Sequence, residues 1–198
     1  ESLIEGLEKY NLKNTLSEVG RKDEVAFYTC FFGTNENVSN VINRASENFS
    51  CFYISNNRET LIEARNLGWE TVYIDEELTN NINKCSMMSK IYKCRPDIVD
   101  VLNTYKITIY IDSKNIVFYD EIYKIIEKCN YPLMIKINPI VYHSVWNEYN
   151  ESINGQERYK SEREKIKNFI VKKTKEGYSE KGTMLWTTLI IRNMKSNI

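Results

Sequence analysis

Apolar and polar positions come in blocks along this chain, and the blocks define the elements. "EVAFYTCFFG" (24–33) is a continuous apolar run closed by Gly33, the pattern of a strand covered on both faces. "FSCFYISNN" (49–57) and "KITIYIDSKN" (106–115) are of the same kind, and each turns polar at its carboxyl end. Between them, "RETLIEARNLG" has helical spacing and stops at Gly68, "WETVYIDEE" reads as a strand, and "NKCSMMSKIYKCRP" reads as a helix closed by Pro96. A helix "YDEIYKIIEKCN" and a strand "PLMIKINP" follow. From Val145 to Lys175 the spacing is helical and highly charged, with Ile166, Phe169 and Ile170 on the apolar side, and "TMLWTTLIIRNMK" returns as a strand. A short amphipathic helix is predicted at the start of the chain.

Strands alternating with helices at these lengths predict an α/β fold: a central, mostly parallel mixed sheet flanked by helices. We read a helical leader over 1–22 and one domain over 23–198, with no repeat and no low-complexity linker. In open α/β sheets, ligands sit outside the carboxyl ends of the strands. Three polar strand ends, "FFGTNEN", "ISNN" and "IDSKN", therefore predict a binding crevice on one sheet edge.

Composition narrows the function. The 198 residues carry 27 Lys+Arg and 27 Asp+Glu, a net charge of zero, which argues against a nucleic-acid binder working by bulk electrostatics. In the charged stretch Glu and Lys alternate, as on a solvated helix face. Five cysteines without a CxxC pair read as free thiols of a reducing compartment, the cytoplasm. A single histidine, His143, weakens any Ser/His or His-metal scheme. No apolar run reaches the length of a membrane span.

Asp112 is the first candidate for chemistry. A carboxylate at a strand end is a hard oxygen ligand for Mg²⁺ or Mn²⁺, and equally a residue that turns the backbone after it. Lys114 either offsets a departing diphosphate without a metal or points into solvent. Lys90 and Lys93 share one helix side and offer cations for phosphates, or are ordinary surface lysines. Gly33 permits close approach of the backbone to a ligand. Glu148, beside Trp146 in "SVWNEYNE", is either an acceptor-side carboxylate or part of an amphipathic helix start. No glycine-rich phosphate loop is present.

The ordered set "VAFYTCFFG", "CFYISNN", "SKIYKCRP", "YIDSKN", "SVWNEY" and "EGYSEKGTMLWTTLIIR" resembles a glycosyltransferase-like domain family with members in plant Golgi proteins, bacteria and large DNA viruses. The resemblance runs from about Val25 to Arg192 and implies a nucleotide-diphospho-sugar transferase fold of GT-A type. It implies transfer of a sugar from a UDP- or GDP-sugar to a glycan or glycoprotein acceptor, with Mn²⁺ or Mg²⁺ as the candidate cofactor. Asp112 would then face the metal or the donor. Thr29, Gly33, Asn56 and Asn57 would surround base and ribose, with Lys90, Lys93 and Asn115 also at the donor, and Glu148 or His143 would be the base of an inverting reaction. Asn56 departs from the family pattern, in which an aspartate is usual, as do Asn138, Tyr142 and His143 in the segment before "SVW". The alternative is a non-catalytic nucleotide-sugar-binding or interaction module of a larger protein.

Overall fold

The computed structural model describes residues 22–34, 43–128, 133–137, 144–181 and 185–194. The helix read at the chain start, with most of the 1–22 leader, lies outside the described residues, as do Asn138, Tyr142 and His143.

Six runs form strands: β1 (Val25–Phe31), β2 (Ser50–Ser55), β3 (Glu70–Tyr73), β4 (Ile107–Ile111), β5 (Leu133–Ile137) and β6 (Leu185–Asn193). They make one mixed sheet in the order β3-β2-β1-β4-β6-β5. β1 pairs in parallel with β2 and with β4, β2 pairs in parallel with β3, and β6 runs antiparallel to β4. β1 and β4 are buried along almost their whole length, which is why both read as unbroken apolar runs.

Alternate residues feed two cores. Val25 and Phe27 of β1, with Ile107, Ile109 and Ile111 of β4, pack under Leu61 and Ala64 of α1 (Arg58–Asn66) and Ile126 of α3 (Tyr119–Lys128). Phe27 is held edge-on between Phe49 and Tyr119, with ring centroids 5.1 and 4.9 Å away. Ala26, Tyr28 and Cys30, with Tyr110, face the opposite way and pack against Met88 and Tyr92 of α2 (Ile82–Cys94) and against Val99 and Leu102. Each fully buried Phe or Ile side chain contributes about 1.5–3 kcal/mol, so the sheet is held mainly by these two layers. Asn57 caps α1 and Asn81 caps α2, each accepting two backbone N–H bonds of its helix's first turn. Pro96 stops α2, with Arg95 as the last capping residue.

The chain divides into two compact units, with Ile137–Trp186 forming the second. That unit holds α4 (Val145–Gly155), α5 (Glu157–Lys160) and α6 (Arg163–Lys175). Ser144 caps α4, and the Val145 N–H donates to Glu180 O at 2.9 Å. The charged run is a solvated helix surface: Lys165 pairs with Glu162 at 2.8 Å and Lys173 with Glu176 at 2.6 Å, while Ile170 is buried.

Candidate functional site at the carboxyl ends of β1 and β4

From β1 the chain steps outward to β2 and then β3, and later sets β4 down on the other side of β1. This reversal makes the carboxyl ends of β1 and β4 a topological switch point of the sheet. A shallow cleft of about 10 Å³, room for little more than one water, lies there. Its polar lining includes Thr29, Asp112 and Ser113, and its apolar lining includes Tyr53, Trp69 and Ile111. Tyr53 and Trp69 meet edge-to-face with ring centroids 5.8 Å apart.

Asp112 turns the chain and also faces a cation. Its N–H donates to Thr188 O of β6 at 2.9 Å, its carbonyl accepts the Asn115 N–H at 2.9 Å, and its Oδ1 accepts the Lys114 N–H at 3.4 Å. Its other oxygen, Oδ2, lies 4.0 Å from Lys93 Nζ. The loop is fixed from outside by Asn43, whose Nδ2 donates to Asn115 O at 2.6 Å and whose Oδ1 accepts the Val117 N–H at 3.3 Å. The Asn43 carbonyl in turn accepts Trp69 Nε1–H at 2.7 Å. Asn43, Tyr53, Trp69 and Ser113 were not singled out from the sequence: a lone loop asparagine has no pattern, and the two aromatics read as core.

Lys93 is placed by the end of its helix. Its carbonyl, one of the last-turn acceptors that an α-helix leaves open, accepts from Tyr28 OH at 3.0 Å and from Arg192 Nη1 at 3.1 Å. The Arg192 cation also suits the negative end of the helix dipole. One turn back, the Cys30 thiol donates to Ser89 O at 3.4 Å. With the helix end so tied to β1 and β6, the Lys93 ammonium sits 4.8 Å from the centre of the Tyr110 ring, its side chain only 12% exposed. Burial lowers its pKa, and the nearby Asp112 carboxylate acts in the opposite direction. Burial also pushes the Cys30 thiol up to about 12, so it packs as a neutral group rather than a nucleophile.

The other residues read from the sequence have different places. Lys90 is exposed and close enough to Lys93 to depress its pKa. The Lys114 side chain is exposed, and Asn115 takes part through its backbone. Asn56 and Asn57 are buried, and their amides are engaged by the main chain. Asn56 Oδ1 accepts the Gly33 N–H at 3.0 Å and its Nδ2 donates to Glu77 O at 3.0 Å. Asn57 Nδ2 donates to Gly33 O at 3.0 Å, while its Oδ1 caps α1. Gly33 itself is approached by protein: with φ at +111°, a Cβ there would meet Cys85 Sγ at 2.6 Å and Thr79 O at 3.1 Å. Gly33, Asn56 and Asn57 thus form a clamp between the ends of β1 and β2. Glu148 belongs to the second unit, on the first turn of α4, where it is exposed and accepts from Ser152 Oγ at 3.4 Å.

Among the described residues no group of three or more His, Cys, Asp and Glu is gathered. Asp112 offers one carboxylate, so a divalent ion there would take most of its oxygens from phosphate and water, the usual situation of Mg²⁺.

Thr29 is only 3% exposed, and its hydroxyl has no hydrogen-bond partner among the described residues. Such a group costs stability unless something else satisfies it. Thr29→Val is therefore expected to leave unfolding free energy unchanged or raise it by about 1 kcal/mol, as read from urea titration. A ligand that uses the hydroxyl would bind the variant more weakly.

No protein-family model matches the sequence, and no curated protein is significantly similar to it.

Proposed function

We propose that this chain is a glycosyltransferase domain of GT-A type that takes a nucleotide-diphosphate sugar at the β1–β4 crevice. The observation that carries the reading is the Asp112–Lys93 pair at the switch point of the sheet. A nucleoside diphosphate leaving group gains negative charge as its bond to the anomeric carbon breaks, and a fixed ammonium in a partly dried site offsets that charge without reorganising. The acceptor hydroxyl forms the new bond to the same carbon and gives up its proton. The Thr29 hydroxyl, without a hydrogen-bond partner among the described residues, and Ser113 beside Asp112 offer hydrogen-bonding groups to a nucleotide. Under the resemblance, a Mn²⁺ or Mg²⁺ ion would be held by Asp112 and would add positive charge at the diphosphate.

The test is release of nucleoside diphosphate from a panel of UDP- and GDP-sugars, with and without Mn²⁺. Release from at least one donor is expected. Asp112→Ala is expected to lower it by about a hundredfold or more, since the turn and the orientation of the ammonium go together. A second reading, a binding module without turnover, is favoured by the single carboxylate of the crevice. Tight nucleotide-sugar binding with no release from any donor would select it.

A further inference from the structure

We propose that the outward face of α2 is a docking surface for an amphipathic helix formed by residues 3–13 of the same chain. The three helices on the sheet differ in what they show to water. α1 turns Glu59, Ile62, Glu63 and Arg65 outward, one apolar group among charges of both signs, and α3 turns out Asp120, Glu121 and Lys124. None of the 13 residues of α2 is buried. Met88 and Tyr92 pack on the sheet, whereas Met87 and Ile91, one turn apart, are 57% and 48% exposed. Cys94 continues their stripe at the next helical repeat and is exposed as well. The charges on α2 are all cations, Lys84, Lys90 and Lys93.

Pattern, place and length all point to residues 3–13 as the cover. Leu3, Leu7 and Tyr10 share one helix face, and Ser2 and Glu5 have the spacing of a capping box. Glu1, Glu5 and Glu8 against Lys9 and Lys13 leave that segment negative, opposite in sign to α2. α2 runs antiparallel to β1: a Cβ at Gly33 would meet Cys85 Sγ, the Cys30 thiol donates to Ser89 O, and Tyr28 OH donates to Lys93 O. Its carboxyl end therefore lies toward the amino end of β1, where the chain arrives from Lys22 and the Lys106 N–H donates to Glu24 O at 2.9 Å. Residues 14–21 reach at most about 28 Å when extended, enough to climb the roughly 20 Å of two packed layers. A helix over 3–13 would be about 17 Å long, beside about 20 Å for α2. A second copy of the chain suits the stripe less well, since two α2 helices would set cation against cation.

The experiment is hydrogen exchange by mass spectrometry on the full chain, with light scattering to give its mass. A lone helix of this length is marginal in water, so slow exchange over 3–13 reports docking. Wild type is expected to exchange there at least about tenfold more slowly than an unstructured chain. Met87→Glu with Ile91→Glu charges the stripe and is expected to return 3–13 to the unstructured rate, with the amides of β1 unchanged as the control for folding. From the other side, Leu7→Glu is expected to speed alkylation of Cys94 by iodoacetamide about threefold or more. Unstructured exchange over 3–13 in wild type, or slow exchange that survives the double variant, overturns the proposal. So does a dimer that the double variant dissociates while 3–13 stays unprotected, which would make a second copy the occupant. If the double variant also loses protection in β1, Leu7→Glu decides, and unchanged alkylation of Cys94 overturns the proposal.

Discussion

Gly33→Ala is expected to lower stability by about 2–4 kcal/mol, the sum of a left-handed backbone that disfavours a side chain and an overpacked contact. The φ of +111° imposes the first cost wherever the methyl points. The second arises because the new Cβ would lie 2.6 Å from Cys85 Sγ and 3.1 Å from the Thr79 carbonyl. A thiol at the start of α2 has some room to move, but the carbonyl has little, since it also accepts the Thr34 N–H at 3.3 Å. Combining Gly33→Ala with Cys85→Ala should therefore recover only part of the loss. Denaturant melts of the two single variants and the double one check this as a cycle. Wild-type stability in Gly33→Ala would show that the contacts around Gly33 yield freely.

The second large effect belongs to Asn57. Its side chain accepts from the N–H groups of Glu59 at 2.9 Å and Thr60 at 3.4 Å, and donates to Gly33 O at 3.0 Å. Asn57→Ala removes a helix cap, worth about 1 kcal/mol, and leaves a buried carbonyl unpaired, worth about 1–3 kcal/mol more. A total near 2–4 kcal/mol is expected from the same two terms, read as a lowered urea midpoint with an unchanged slope. Asn57→Asp is the informative partner. It keeps the cap and sets a carboxylate oxygen against the Gly33 carbonyl, so a loss close to that of alanine would assign most of the cost to the bridge between β1 and β2. A loss of a few tenths would assign it to the cap.

These residues also mark how far the sequence could be read. The apolar runs of β1 and β4 are legible because burial on both faces leaves no polar position, and α1 is legible from Leu61 and Ala64 on one side and Gly68 beyond its end. The antiparallel course of β6 is not legible, since a strand's residue pattern is the same in either direction. Asp112 is legible as an acid at a strand end and as a residue that turns the backbone after it, while the approach of its other carboxylate oxygen to Lys93 was not read from the sequence. The burial of Lys93 beside Asp112, with Lys114 left exposed, is not legible. It depends on Tyr28 and Arg192 gripping a helix carbonyl from 65 and 99 residues away along the chain. Gly33, Asn56 and Asn57 had the composition of a ligand loop, yet their bonds run to one another and to neighbouring backbone. Polar residues at a strand end suit either job, and only the packed partners decide which.

The bond from the Asp112 N–H to Thr188 has a kinetic consequence. β4 gains its antiparallel neighbour only when the distal segment has been synthesised, so on the ribosome the first three parallel strands can associate while the acidic turn still lacks its anchor. Competence to hold a ligand would then arise at the end of folding, and a nascent chain halted before β6 would carry a half-assembled sheet with an open hydrogen-bonding edge.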